Sequence, residues 1–187
     1  MTSDLAERLA RLTPGGKRLV IAIDGRAGSG KTTLAGELAA ILKCPVVKMD
    51  HFFLRAEQRT PERLSEPGGN VDRERFSEEV LPYLGSGAGF SYRPFQCGSR
   101  MSLGPPVEVP GGKSIIVEGT YSHHPGFGDY CDARIFLDVD PAEQMRRIER
   151  RDGPEKADVF KSRWIPMEEL YFSEFCVMEK ADMVIRF

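Results

Sequence analysis

The sequence predicts a three-layer α/β fold with a mostly parallel five-stranded sheet and an inserted β-hairpin. Three observations carry this prediction. Short apolar runs rich in β-branched residues alternate with stretches of helical periodicity, the rhythm of strands joined by right-handed crossovers. A glycine-rich turn ending in Lys31-Thr32 lies between the first of those runs and the helix after it. One stretch, 85–112, is dense in Gly and Pro and breaks the rhythm; it reads as a hairpin between helix and strand rather than a domain boundary. The length of 187 residues fits a single domain over 1–187.

Leu5, Leu9 and Leu12 recur at helical spacing, which opens the chain with a short amphipathic helix, and Thr13-Pro14-Gly15-Gly16 ends it. Leu19–Asp24 is almost wholly apolar and reads as a buried central strand. A helix from Thr32 to Leu42 places Leu34, Leu38 and Ile41–Leu42 on one face, and Pro45–Asp50 is a second strand. Asp72 to Leu84 reads as one helix with Asp72 at its N-cap. Within the insertion, Gly89–Tyr92 and Val107–Val109 are short β-like pieces, and long irregular insertions of this kind are often functional. Ser114–Glu118 and Ala133–Val139 are further buried strands. Pro141 starts a helix at its favoured first position, running to about Arg151. Pro166–Glu169 followed by Tyr171-Phe172 suggests a helix packing an aromatic face, and Ala181–Arg186 is a last strand.

Composition narrows the function classes. Apolar residues make up 41% and charged residues 29%, the profile of a soluble globular protein. The net charge of -2, with acids and bases mixed along the chain, gives no basic field to attract nucleic acid. Four scattered cysteines, Cys44, Cys97, Cys131 and Cys176, form no C-x-x-C pair, so reduced thiols in a cytoplasmic protein are expected rather than zinc or disulfides. His51, His123 and His124 form no metal motif. No apolar run approaches membrane-spanning length, and the N-terminus carries Asp4, Glu7 and Arg8, unlike a signal peptide. The expected partners are therefore a nucleotide and a small-molecule acceptor, with no nucleic acid and no membrane.

Gly25-Arg26-Ala27-Gly28-Ser29-Gly30-Lys31-Thr32 satisfies G-x-x-x-x-G-K-[ST], the Walker A phosphate loop. Its glycines let the backbone turn successive N–H groups toward phosphate oxygens, and the following helix adds its positive end. Gly25, Ala27, Gly28, Ser29, Gly30, Lys31, Thr32 and Thr33 are the expected nucleotide-binding set, with ATP and Mg²⁺ as cofactors. Lys31 is expected at the β- and γ-phosphates and the Thr32 hydroxyl at the metal. The glycines fall as G-x-x-G-x-G followed by Lys-Thr, which disfavours a dinucleotide site. The fold class is thus a three-layer P-loop NTPase fold. A guanine-reading N-K-x-D motif is absent, and the strand Ile115–Glu118 ends in Glu-Gly rather than the Asp-Glu or Asp-Asp of large ATPases.

The chain resembles the uridine kinase family of small P-loop kinases, related to phosphoribulokinase and pantothenate kinase. The matching pieces are Gly-Ser-Gly-Lys-Thr-Thr (28–33), Met-Asp-His-Phe-Phe (49–53), Gly-Gly-Asn-Val-Asp (68–72), Val-Glu-Gly (117–119), Phe-Leu-Asp-Val-Asp (136–140) and Arg-Arg-Ile-Glu-Arg-Arg-Asp (146–152). They occur in the family's order and cover most of the chain from Val20 onward.

An alcohol kinase needs a group that accepts the hydroxyl proton, and Asp50 stands at the end of the second strand, at the edge where open α/β sheets bind ligands. The resemblance implies that Asp50 is the catalytic base, against the alternatives of a helix cap or a ligand to metal-bound water. It implies that Asp72 holds acceptor hydroxyls, against a plain N-cap. Glu118 ends the third strand at the same edge and is expected to hold Mg²⁺ through water or to orient the base, against a structural role. Tyr92, Phe95 and Arg100 echo the family's base-gripping hairpin, although Gln96, Cys97 and Gly98 fill the interval where the family has a His. Packing of the hairpin is the other reading of Tyr92 and Phe95.

Arg146 and Arg150 share one helix face, and Arg147 and Arg151 the next. The resemblance implies that Arg147 and Arg150, with Arg151 as a further candidate, face the transferred phosphoryl, and that a helical lid follows at about 151–165. The family's Arg-x-Arg pair is not reproduced in Gly153–Trp164, so no lid arginine is assigned there. The implied activity is ATP- and Mg²⁺-dependent transfer of the γ-phosphoryl group to a hydroxyl, uridine or cytidine first. Another small alcohol, or a nucleotide-binding regulator without an acceptor, are the alternatives.

Overall fold

A computed structural model describes residues 2–11, 18–97 and 102–187. Its centre is an all-parallel five-stranded sheet made of β1 (Val20–Gly25), β2 (Val46–Lys48), β7 (Ile115–Glu118), β8 (Ala133–Asp138) and β9 (Met183–Arg186), in the order β2-β7-β1-β8-β9. β1 is buried at every position, which is why its sequence shows no polar face. Its side chains nonetheless divide between two cores. Ile21 and Ile23 join Leu5 and Leu9 of α1 (Thr2–Arg11) and Leu34 and Leu38 of α2 (Lys31–Leu42) on one face of the sheet. Val20 joins Phe52, Phe76, Tyr92, Phe136 and Tyr171 on the other. The predicted Leu12 and the Thr13–Gly16 stop lie outside the described residues.

The connections add α3 (Pro61–Ser65), α4 (Arg73–Glu79), α5 (Leu81–Ser86), α6 (Pro141–Asp152), α7 (Pro154–Val159) and α8 (Ile165–Phe175). α6 begins as expected: Pro141 is in its first turn, and Asp140 caps it by accepting from the N–H groups of Ala142 at 2.9 Å and Glu143 at 3.3 Å. One expected helix is two. The helix predicted over Asp72–Leu84 breaks at Val80 (φ -125), between α4 and α5. Pro82 is the cause, because it lacks the N–H owed to the preceding turn and its ring crowds the carbonyl four residues back. Between α7 and α8 the helix widens into a π-helical turn over Phe160–Trp164.

The insertion is one long antiparallel excursion in two ladders. β3 (Phe90–Tyr92) pairs with β6 (Val107–Val109), and further out β4 (Phe95–Gln96) pairs with β5 (Ser102–Leu103). Phe90, Tyr92 and Val109 turn inward and fasten its base to the larger core. Among the described residues no helix is long and apolar enough to cross a membrane.

Candidate active site

Parallel strands deliver their C-terminal ends to one edge, and the crevice there is where open α/β sheets bind ligands. A cavity of about 770 Å³ opens at this edge. β1 brings the phosphate loop to it, β2 brings Asp50, and β7 brings Glu118. The registers Ile23↔Glu118 and Lys48↔Glu118 put the three strand ends side by side.

The loop has the backbone its glycines allow. Gly25 (φ 138), Gly28 (φ 72) and Gly30 (φ 99) all lie in the left-handed half of conformational space. At Gly25 a Cβ would come within 2.1 Å of the Leu137 carbonyl oxygen, so only glycine lets the loop leave β1 beside β8. Gly28, Gly30, Lys31, Thr32 and Thr33 line the cavity. The first N–H groups of α2 have no partner within the helix and are the donors an anion would take. Lys31 curls back over the loop, its Nζ donating to the carbonyls of Gly25 at 2.7 Å and Arg26 at 2.8 Å. Ser29 is almost wholly buried rather than on the cavity wall.

Thr32 and Glu118 meet at this edge: the Thr32 hydroxyl lies 3.3 Å from both carboxyl oxygens. Burial first, and then the charge of Asp50, push the Glu118 carboxyl above its ordinary range, with Lys31 opposing. The buried Glu118 carboxyl and the Thr32 hydroxyl, with the charge of Asp50 nearby, are hard oxygen donors whose chemistry fits Mg²⁺. No cluster of three or more His, Cys, Asp or Glu with metal-holding geometry occurs among the described residues. The protein therefore offers a partial shell, of the kind a nucleotide's phosphates complete. Asp50 itself is exposed on the cavity wall, in a 3₁₀ turn over Met49–Phe52.

The arginine helix resolves into its two faces. Arg147 lines the cavity, with Nη1 at 3.4 Å from the Gly28 carbonyl and Nε held by Glu143 at 2.7 Å. Arg151, one turn on, also lines the cavity. Arg150 does not, so of the two it is Arg151, the further candidate, that the structure brings to the cavity beside Arg147. Residues three and four positions on both neighbour Arg147 on a helix, and here the cavity lies on the Arg151 side.

The acceptor residues implied by resemblance lie behind the wall. Asp72 is buried as the N-cap of α4, accepting from Arg75 N–H at 3.1 Å, with Arg55 at 3.6 Å from its other oxygen. Tyr92 is buried against Phe52 and Phe90, its hydroxyl 2.9 Å from His51 Nδ1, and burial raises its pKa to about 12. Phe95 is buried beneath Arg59, whose guanidinium lies 5.8 Å from the ring centre. None of the three lines the cavity, and Arg100 lies outside the described residues.

Several wall residues had no local signal of their own. Phe53 and Asn70 sit inside motifs quoted above, but Arg59, Cys97, Tyr121, Phe160, Trp164 and Glu168 reach the cavity only through tertiary structure. Glu168 is the most consequential. Its Oε2 accepts from the Ala27 N–H at 3.0 Å, tying α8 to the phosphate loop, and burial raises its pKa to about 7 despite nearby Lys31. The neutral carboxylic acid is thus available near physiological pH.

Comparison with known proteins follows the same outline. The AAA domain family matches residues 21–163, well over half of the chain. A cytidylate kinase from Pyrobaculum arsenaticum is 24% identical over 145 residues, spanning 76% of this chain and 66% of that relative, just under two thirds of its length. The structure of a possible uridine kinase from Bacillus stearothermophilus superposes with a TM-score of 0.74 at 19% identity, covering 98% of this chain and 96% of the other. A D-glycerate 3-kinase from Cryptococcus neoformans superposes with a TM-score of 0.63 at 16% identity, covering 100% and 94%. With a match that runs from β1 into the turn after α7, the chain belongs to the AAA domain family, and its fold is that of the P-loop kinases.

Proposed function

We propose that this protein is an ATP- and Mg²⁺-dependent kinase that transfers the γ-phosphoryl group to a hydroxyl of a small molecule. The observation that carries this reading is the convergence of the phosphate loop, the Thr32–Glu118 pair, Asp50 and Arg147 on one cavity. The loop and the N-terminus of α2 would hold the nucleotide's phosphates, and Thr32 with Glu118 would hold the metal. Bound Mg²⁺ would neutralise phosphate charge. Asp50 would take the acceptor's proton and align its oxygen, and Arg147 would offset charge developing on the transferred phosphoryl. Phe160 and Trp164 line the same cavity and would serve as the lid's apolar inner surface.

Kinase names among the similar proteins, for cytidylate, uridine and D-glycerate, support phosphoryl transfer to alcohols or phosphates of unlike shape. Uridine and cytidine stay on the acceptor panel, although Tyr92 and Phe95 are buried too deeply to grip a base directly. An ADP-release assay with ATP and Mg²⁺, run against nucleosides, sugars, hydroxy acids and their phosphates, tests the proposal. At least one acceptor should raise ADP production well above the water background. A flat response across the panel would refute kinase activity and favour a nucleotide-binding regulator.

A further inference from the structure

The part of the cavity wall contributed by the segment between β2 and α4, together with the hairpin, includes Phe53, Arg59, Asn70 and Cys97. The segment is folded back on itself. Phe53 bridges Val71, Leu54 N–H donates to the Asn70 carbonyl at 3.1 Å, and Asp72 N–H donates to the Phe52 carbonyl at 2.6 Å. This fold-back sets Asn70 against Leu54, on the cavity wall that Asp50 also lines.

The segment and the start of α4 are rich in arginine, and nearly all of that charge is matched. Arg55 pairs with Glu57 and Asp72, Arg63 with Glu66 and Glu74, Arg73 with Glu66, and Arg75 with Glu79. Arg59 is the exception: it makes no ion pair among the described residues, and it is the one arginine of the five that lines the cavity. It is not a loose surface side chain. Its Nε donates to the Leu54 carbonyl at 2.9 Å, and its guanidinium rests 5.8 Å from the centre of the Phe95 ring. Its terminal amino groups lie beside the Cys97 thiol and pair with no carboxylate among the described residues, and their planar geometry suits a carboxylate or phosphate.

A second observation points to a ligand at the same place. Asn70 is 6% exposed, lines the cavity, and its Oδ1 is buried without a hydrogen-bond partner. A buried acceptor of this kind is costly to leave unmatched, and a ligand hydroxyl would satisfy it. On the kinase reading the nucleotide's phosphates would take the loop, Lys31, Arg147 and Arg151, which line the cavity from other elements.

We infer that Arg59 selects the acceptor, and that the acceptor is a polyhydroxy alcohol carrying an anionic group, a phosphate or a carboxylate. Arg59 holds the anion, Asn70 accepts from one hydroxyl, and a second hydroxyl lies at Asp50. This inference rests on the kinase reading. It gives Phe95 an indirect role, positioning Arg59 rather than touching the acceptor.

The test compares matched acceptors with and without the anion: glycerol against glycerate, ribose against ribose 5-phosphate, and cytidine against cytidine 5′-monophosphate. At least one anionic member should be favoured about 100-fold in kcat/KM, and which pair responds separates phosphate from carboxylate. With that acceptor, Arg59→Gln should raise the acceptor KM by about 100-fold, leave the ATP KM within about twofold, and be partly rescued by Arg59→Lys. A preference for the neutral members, or an Arg59→Gln effect on ATP instead of the acceptor, overturns the inference. If no acceptor of either kind raises ADP release, the kinase reading itself has failed. In that event, calorimetric titration of the three anionic compounds into ATP-loaded protein, with Arg59 or Gln at the position, decides separately; binding that does not depend on Arg59, or no binding, overturns the inference.

Discussion

Tyr171 of α8 donates its hydroxyl to Asp24 of β1 at 2.8 Å, across the buried centre of the molecule. Asp24 takes three further hydrogen bonds, from the N–H groups of Gly25 at 2.7 Å, Tyr121 at 3.2 Å and His123 at 2.9 Å. One carboxyl group thereby joins the start of the phosphate loop, the turn after Glu118, and the helix that carries Glu168. Tyr121 sits at φ 81, a strained value for a side chain of its size, and these bonds help hold it there. Tyr171→Phe removes one donor to a buried acidic group. It should destabilise the protein by about 1.5–3 kcal/mol. The urea midpoint should fall with an unchanged m-value; an unchanged midpoint would mean that the hydroxyl contributes nothing.

Glu168 predicts a pH dependence of stability. Its carboxyl is raised from 4.5 to about 7, first by burial. Between those values the folded protein holds a proton that the unfolded chain has released. Stability from this group is therefore full below about pH 4.5 and declines as pH rises toward about 7. The change is on the order of 3 kcal/mol. Glu168→Gln keeps an acceptor for Ala27 N–H but cannot ionise. Subtracting its unfolding free energy from that of the parent at each pH should show the difference growing across this window; a constant difference would refute the assignment.

His124 acts in the opposite direction. It is stacked on Tyr171, accepts from Gly126 N–H at 3.0 Å through Nδ1, and has its pKa lowered to about 4 by burial and then by Arg73. The unfolded chain takes up a proton before the folded one does, so stability from His124 is present above its ordinary value of 6.5 and is lost as pH falls toward about 4. His124→Gln should flatten the acid side of the stability profile.

Asp50→Asn tests the proposed base. It should lower kcat by about 100- to 10,000-fold while the ATP dissociation constant stays within about threefold, measured by titration calorimetry and ADP release. Activity near the parental level would remove Asp50 from that role.

The two arginine faces of α6 make separate predictions. Arg147→Ala should reduce kcat by about 100- to 1,000-fold, as expected for loss of a donor aimed at developing charge. Arg150→Ala should stay within about threefold of the parent, because its side chain does not line the cavity. Steady-state kinetics of the pair decides whether the cavity lining or the motif alignment identifies the functional arginine.

How much of this was legible in the sequence depends on the range of the interaction. The five strands, the helix start at Pro141 and the loop at Gly25–Thr32 are visible because each is set by a few neighbouring residues. Thr32 and Glu118 were each legible as candidates at the metal, but their contact comes only from the pairing of β1 with β7. The break at Val80 was legible too, in Pro82, but the apolar period running past it masked the signal. Arg150 was preferred over Arg151 because their difference is one of helical phase, which the motif does not record.

The sequence by itself determined the donor half: an α/β sheet with a phosphate loop, since strand periodicity and glycine spacing are local properties of the backbone. Only the tertiary structure decided which side chains face the cavity. Tyr92 and Phe95 are aromatic in any reading, but packing against Phe52 and Arg59 buries them, while the same fold-back leaves Arg59 without a carboxylate and brings Asn70 to the wall. Glu168 reaches Ala27 across 141 positions of chain. Burial and charge pairing are sums over neighbours distant in sequence, and no local pattern carries them.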